Sequence, residues 1–316
     1  MDNLRALGRL GKMWKKFGRI FVAEGQYGWM QSHVAMPMAH HLSGDIYRVY
    51  FGTRNKNNQP HIGFVEFDIN NPSEITKVSE NYVLGPGEMG FFDENGVYPG
   101  RIVEDSRTGR LLMYYMGRSN GVHPLFYMAI GLAVSDDEGQ SFHRHSEGPL
   151  MCRSQHDPWM VSTPWVLREN DRWRMWYLSG LAWKRDANKV QSFYHIKYAE
   201  SEDGIEWIRD GHVAINLKTN ETNIAAPSVL RSTTKYEMWY SYSSGAGYQI
   251  GYAVSEDGYD WIRKDKEVGI ALSEEGWDSE CMAYPCVFVH KGRRYMLYSG
   301  NGNGREGIGI AVEIKC

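Results

Sequence analysis

The chain has 316 residues, a formal net charge of −3 at pH 7 and a pI near 6.4. So balanced a body offers no electrostatic footprint for nucleic acid, and its apolar runs stop at strand length, which excludes an apolar membrane-spanning helix. Cys152, Cys281, Cys286 and Cys316 follow no metal-binding or redox spacing, and no secretory signal comes before them, so the expected setting is the reducing cytoplasm.

The first 29 residues differ from the rest. Leu4, Leu7, Leu10, Trp14, Phe17 and Phe21 recur at helical spacing, and Arg5, Arg9, Lys12, Lys15, Lys16 and Arg19 supply the opposite character. This predicts a short, basic, amphipathic helical extension over residues 1–29, weakened by Gly8, Gly11 and Gly18. Residues 1–21 then either touch an anionic membrane surface peripherally, at its inner face, or pack on the body's side or on a second subunit of a homo-oligomer.

From residue 30 to 316 one unit is written five times with a period of roughly 60 residues, in the range of propellers and arrays. The units open at Met36-Pro37, Tyr98-Pro99, Thr163-Pro164, Ala226-Pro227 and Tyr284-Pro285. An aromatic and methionine-rich strand follows each opening, as in Arg174-Met175-Trp176-Tyr177 and Glu237-Met238-Trp239-Tyr240, and then a strand of the type Ile250-Gly251-Tyr252-Ala253-Val254. The sequence therefore predicts an all-β fold, a five-bladed β-propeller forming one domain over residues 30–316.

Three units continue into a tight hairpin, Ser135-Asp136-Asp137-Glu138-Gly139, Ser201-Glu202-Asp203-Gly204 and Ser255-Glu256-Asp257-Gly258. Glycine accepts the positive φ such turns require. Asp137, Asp203 and Asp257 are expected to bond their own turn backbone, a scaffold role. The hairpins resemble the Asp-box of sialidases and related propellers.

In a propeller, the segments entering the innermost strands ring one mouth of the central channel. Those segments hold His33, Asp93, Asp157, Glu221 and Glu280. Carboxylates across a pocket are what glycosyl transfer needs, one protonating the leaving oxygen and one acting as base or nucleophile. Glu280 is read as proton donor and Asp93 as base or nucleophile, with Asp157 and Glu221 completing the ring. Arg54, Arg101 and Arg118 suit a carboxylated sugar, a phosphate or a nucleotide sugar, and His33, Trp183, Asn223 and Tyr284 complete the candidate binding residues. Gly300-Asn301-Gly302-Asn303-Gly304 reads as a turn rather than a phosphate loop, so no cofactor is expected.

The five repeats, the strand texts quoted above and the Ser-Glu-Asp-Gly-x-x-Trp hairpins resemble the five-bladed glycosidase clan that includes glycoside hydrolase families 43, 32, 68 and 130. The resemblance implies a carbohydrate-active enzyme, whether hydrolase, phosphorylase or glycosyl transferase. Some members of that clan carry a metal on the propeller axis. His33 has no spaced partner, and no metal is expected to be required. The acids beside the inner-strand prolines in families 43 and 32 are replaced here by Met36, Tyr98, Thr163, Ala226 and Tyr284, while Glu280-Cys281 echoes the Glu-Cys pair of family 32. A cytoplasmic enzyme of glycan or surface-polysaccharide biosynthesis is the expected function. The alternative is a non-catalytic sugar- or protein-binding propeller.

Overall fold

The computed structural model describes residues 13–105, 108–169, 172–186 and 189–314. Among these, strand β1 (Met13–Phe21) precedes the repeats, and the remaining strands follow in consecutive antiparallel units. The first unit holds β2 (Ser32–Ser43), β3 (Ile46–Arg54), β4 (Pro60–Asp68) and β5 (Ile75–Val78), and the second β6 (Val97–Asp105), β7 (Arg110–Asn120), β8 (Phe126–Ser135) and β9 (His143–Arg144). The third has β10 (Val161–Glu169), β11 (Arg172–Asp186), β12 (Lys189–Ser201) and β13 (Val213–Ile215). In the fourth are β14 (Asn223–Arg231), β15 (Tyr236–Ser243), β16 (Gln249–Ser255) and β17 (Ile262–Arg263). The last comprises β18 (Ala283–His290), β19 (Arg293–Ser299) and β20 (Ile308–Ile314), with β1 as its outer strand. A parallel bridge between Tyr194 and Asn223 joins the third and fourth units into one continuous sheet.

The first strands of the units form a closed ring. β2 packs on β6, β6 on β10, β10 on β14, β14 on β18, and β18 back on β2. Middle strands are covered on both faces, which is why their texts are continuously apolar rather than alternating. Tyr50, Tyr114, Trp176, Trp239 and Tyr298 are all fully buried there.

The Ser-x-Asp hairpins tie neighbouring units together. Asp203 Oδ1 accepts from the backbone N–H groups of Ile205 and Glu206, and Asp257 Oδ1 from those of Tyr259 and Asp260. The turn carbonyls face outward from this knot: Gly139 accepts the Tyr50 hydroxyl at 2.8 Å, Gly204 that of Tyr114 at 2.9 Å, and Gly258 the Trp176 indole N–H at 2.9 Å. Each donor lies on the preceding unit, so the turn acids hold unit to unit.

Residues 13–21 correct the expectation of a helical extension, while residues 1–12 lie outside the described residues. Met13–Phe21 is a strand that pairs antiparallel with β20, with Trp14 and Ile20 buried and Lys15, Phe17 and Arg19 exposed. Gly18, at φ 101°, sits at a register shift that lets the pairing resume. The physical reason is β20, whose edge N–H and C=O groups require a partner. Trp14 packs edge-on against Trp239 at 6.1 Å and donates its indole N–H to Val268 at 3.0 Å. No helix among the described residues is long and apolar enough to cross a membrane.

Candidate functional site

The repeated prolines Pro37, Pro99, Pro164, Pro227 and Pro285 converge around one small cavity of about 30 Å³ on the axis of the ring. In four units the residue before the proline has positive φ: Met36 (57°), Thr163 (41°), Ala226 (50°) and Tyr284 (58°). Non-glycine residues held there carry strain of order 1–3 kcal/mol each, and such strain gathers at functional sites. The inner strands bulge at these points, between Ala35 and Met38, Ser162 and Trp165, Ala225 and Ser228, and Ala283 and Cys286. Backbone groups freed by the bulge find side chains of the neighbouring unit: Ala226 N–H donates to Thr163 Oγ1 at 3.1 Å, and Tyr284 N–H to Ser241 Oγ at 2.7 Å.

A larger cavity of about 270 Å³ opens directly on the proline ring, sharing Met36, Thr163 and Tyr284 with it. All the units contribute: Met36 and Arg54 from the first, Tyr98, Arg118, Phe126 and Met128 from the second, Met160, Ser162 and Tyr194 from the third, Tyr248 from the fourth, and Tyr284 and Asn303 from the last. Its polar groups are guanidinium, phenol, hydroxyl and amide; among the described residues no carboxylate lines it. Tyr194 and Tyr248 share a short hydroxyl–hydroxyl hydrogen bond, and burial pushes the Tyr194 phenol up to about 12. The pair therefore stays protonated and offers O–H groups rather than phenolate.

The acids expected at this mouth are elsewhere. Asp93 is fully buried, accepting the Tyr115 hydroxyl at 2.9 Å and Arg144 Nε at 2.8 Å. Asp157, also fully buried, accepts from Ser179 Oγ at 2.8 Å and Tyr177 at 3.2 Å and is paired with Arg209 at 3.0 Å and Lys197 at 3.5 Å. Glu221 forms a two-pronged pair with Arg263, both contacts at 2.7 Å. These three correct the expectation of a carboxylate ring: a buried charge must be paired, and these are paired inside the framework. Glu280 is the exception. It is exposed and lines a second depression of about 360 Å³ with Ser192, Asn223 and Cys281. That depression shares Tyr194, Tyr248 and Asn303 with the axial cavity, so the two are contiguous.

Of the binding candidates, Arg54, Arg118 and Tyr284 line the axial cavity and Asn223 the adjoining depression, where its Nδ2 donates to Ser192 O at 2.8 Å. Trp183 does not line the cavity itself but stands edge-on, at 5.1 Å, to Phe126, which does. His33 and Arg101 do not line it. The His33 ring lies 2.9 Å from Ser32 Oγ, and burial, then Arg54 and Arg305, lowers its pKa to about 4. Arg101 stacks its guanidinium 4.5 Å from the Trp165 ring, and burial lowers its pKa. Tyr194 and Tyr248 escaped the sequence reading, yet a signal existed: each stands two residues before the isoleucine of its third strand, as does Met128. One position of the repeat thus supplies three cavity residues.

Among the described residues no group of three histidine, cysteine or acidic side chains is placed to hold a metal ion.

The architecture is that of the glycoside-hydrolase propellers. A BT0996 RGII complex superimposes with a TM-score of 0.75 at 16% identity, covering 96% of this chain and 92% of that one. A glycoside hydrolase gives 0.73 at 16% over the same shares, and a thermostable family-43 glycoside hydrolase 0.64 at 18% over 90% and 89%. No protein-family model matches the sequence. The uncharacterized proteins MT1551 and Rv1502 of Mycobacterium tuberculosis, strains CDC 1551 / Oshkosh and ATCC 25618 / H37Rv, are each 39% identical over 300 residues, 95% of this chain and 98% of theirs. The chain belongs to the family of these mycobacterial proteins.

Proposed function

We propose that the repeated units are the blades of a five-bladed propeller and that the protein is a carbohydrate-active enzyme binding its saccharide at the axial mouth. The observation that carries this reading is the cavity of about 270 Å³ built from every unit and continuous with the depression that holds Glu280 and Asn223. Phe126 and Trp183 offer an aromatic face for a sugar ring, and the tyrosines, Ser162, Thr163 and Asn303 offer hydrogen bonds to hydroxyls. Glu280, exposed at the rim, is the carboxylate free to exchange a proton with a glycosidic oxygen.

A second reading is a sugar-binding propeller without turnover. It is favoured by the pairing of Asp93, Asp157 and Glu221, which removes the second carboxylate that hydrolysis ordinarily uses. Calorimetry with a panel of neutral and acidic oligosaccharides tests the common part of both readings. Saturable binding is expected, with a change in tryptophan fluorescence that Trp183→Phe diminishes. Absence of saturable binding by every member would overturn the axial site; binding without turnover of any bound member would select the second reading.

A further inference from the structure

This protein pairs most of its buried arginines with acids. Arg48, Arg144, Arg174, Arg209, Arg263 and Arg294 each hold a carboxylate within 3.0 Å. Three break the pattern: Arg101, which lies against the Trp165 ring and does not line the axial cavity, and the cavity residues Arg54 and Arg118. Neither of the latter two has a carboxylate partner among the described residues, and the Nε of each is buried without a hydrogen bond. Arg54 Nη1 reaches only the Asn58 side-chain oxygen at 3.0 Å, and Arg118 lies over the Phe126 ring at 5.3 Å.

The two stand at one position of the repeat, three residues after Phe51 and Tyr115, on adjacent units. Both line the axial cavity, whose other lining residues include no acid to neutralise them. His33 lies nearby, its pKa lowered first by burial and then by Arg54 and Arg305. A half-buried guanidinium without a counter-charge is a site prepared for an external anion, because its fork matches carboxylate and phosphate oxygens.

We propose that the axial cavity is selective for an anionic saccharide, one bearing a carboxylate or a phosphate, and that Arg54 and Arg118 together read that group. This rests on the axial cavity being the carbohydrate site. Arg118, stacked on Phe126, would hold the anion beside the aromatic wall while Arg54 closes on it from the neighbouring unit. The sugar ring then extends toward Tyr194, Tyr248 and the depression of Glu280.

The test measures calorimetric affinity and thermal shift at constant ionic strength. Galacturonate di- and trisaccharides are compared with their methyl esters, which keep shape and lose charge, and with glucose 6-phosphate and inorganic phosphate. The acidic sugar or the sugar phosphate is expected to bind at least ten-fold more tightly than the uncharged ester, and which of them does so identifies the anion. Arg118→Met and Arg54→Met should erase that preference, and Arg118→Lys should restore part of it. Should Arg118→Met fail to fold, Arg54→Met and Arg118→Lys carry the comparison. Equal binding of acid and ester, or a preference unchanged in the arginine variants, overturns the anion reading and leaves the saccharide site standing. Binding of neutral saccharides with no response to any charged probe does the same, whereas no binding of either class brings down the axial site itself.

Discussion

Tyr298 donates its hydroxyl to Asp278 at 3.0 Å, and the same carboxylate oxygen takes the Nζ of Lys16 at 2.7 Å. This trio is a repeated device. Tyr115 meets Asp93 and Arg144, Tyr177 meets Asp157 and Arg209, and Tyr240 meets Asp265 and Arg263. In each case the tyrosine closes the middle-strand text, the acid lies in a segment outside that strand, and a cation neutralises it. The first unit has Phe51 at this position, and Phe21 packs on that ring at 5.4 Å instead. Asp93 and Asp157, which look catalytic in the sequence, are thus joints between strand and loop.

Asp157→Asn should therefore act on stability. The substitution leaves Arg209 and Lys197 beside a neutral amide in a fully buried place, and breaking a buried pair in this way costs about 3–5 kcal/mol. Urea denaturation reads it directly. A variant as stable as the parent would return Asp157 to the list of catalytic candidates.

The amino-terminal strand should be indispensable rather than an appendage. Removing residues 1–21 strips β20 of its outer partner, takes Lys16 from Asp278 and uncovers Trp239. Trp14→Ala alone is expected to cost about 3–5 kcal/mol, the range for a buried tryptophan. Circular dichroism melts of the truncated and Trp14→Ala proteins are the measurement, and melting temperatures equal to the parent's would mean that the ring closes without β1.

The repeat was legible because its texts report packing. Two-sided burial makes middle strands continuously apolar, and the prolines mark the inner strands, so Pro37 to Pro285 predicted where the axis lies. The shared position of Arg54 and Arg118 toward the end of the middle strand was legible for the same reason. Pairing was not. Nothing local in Asp93 or Glu221 says that Arg144 or Arg263, tens of residues away, will neutralise it, and only three-dimensional closure decides between a free and a paired carboxylate. The spacing of Trp14, Phe17 and Phe21 misled because those residues fit a helical stripe, whereas the edge of β20, nearly the whole chain distant, selected a strand.

Acidification should destabilise the fold through histidines as well as carboxylates. Burial lowers the pKa of His40, helped by Arg48, Arg101 and His41, and burial likewise lowers that of His195, both to about 4. Each is neutral when folded and has a value near 6.5 when unfolded, so the unfolded chain binds the extra protons. Their contribution is complete above pH 6.5 and is lost as the pH falls from 6.5 toward 4. Denaturation midpoints across that window should drop, and His195→Gln should flatten the slope between pH 6.5 and 4. A slope identical in parent and variant would contradict the buried neutral imidazole.

Glu280 is the residue on which catalysis can be tested apart from folding. Its backbone N–H donates to Asn301 Oδ1 at 2.8 Å, which fixes the loop, while the residue is exposed beside Cys281 and Asn303 at the depression's rim. Glu280→Gln removes the titrating group without disturbing any buried pair, so stability should stay within about 0.5 kcal/mol of the parent. If Glu280 supplies the proton in glycosyl transfer, turnover of a bound saccharide falls by about 100-fold or more with little change in affinity. Asp93→Asn should give the opposite pattern, because its loss falls on the buried contact with Arg144 before it reaches any ligand. Parallel measurements of denaturation midpoint and turnover in the two variants separate the roles, and equal turnover in parent and Glu280→Gln would remove this carboxylate from the chemistry.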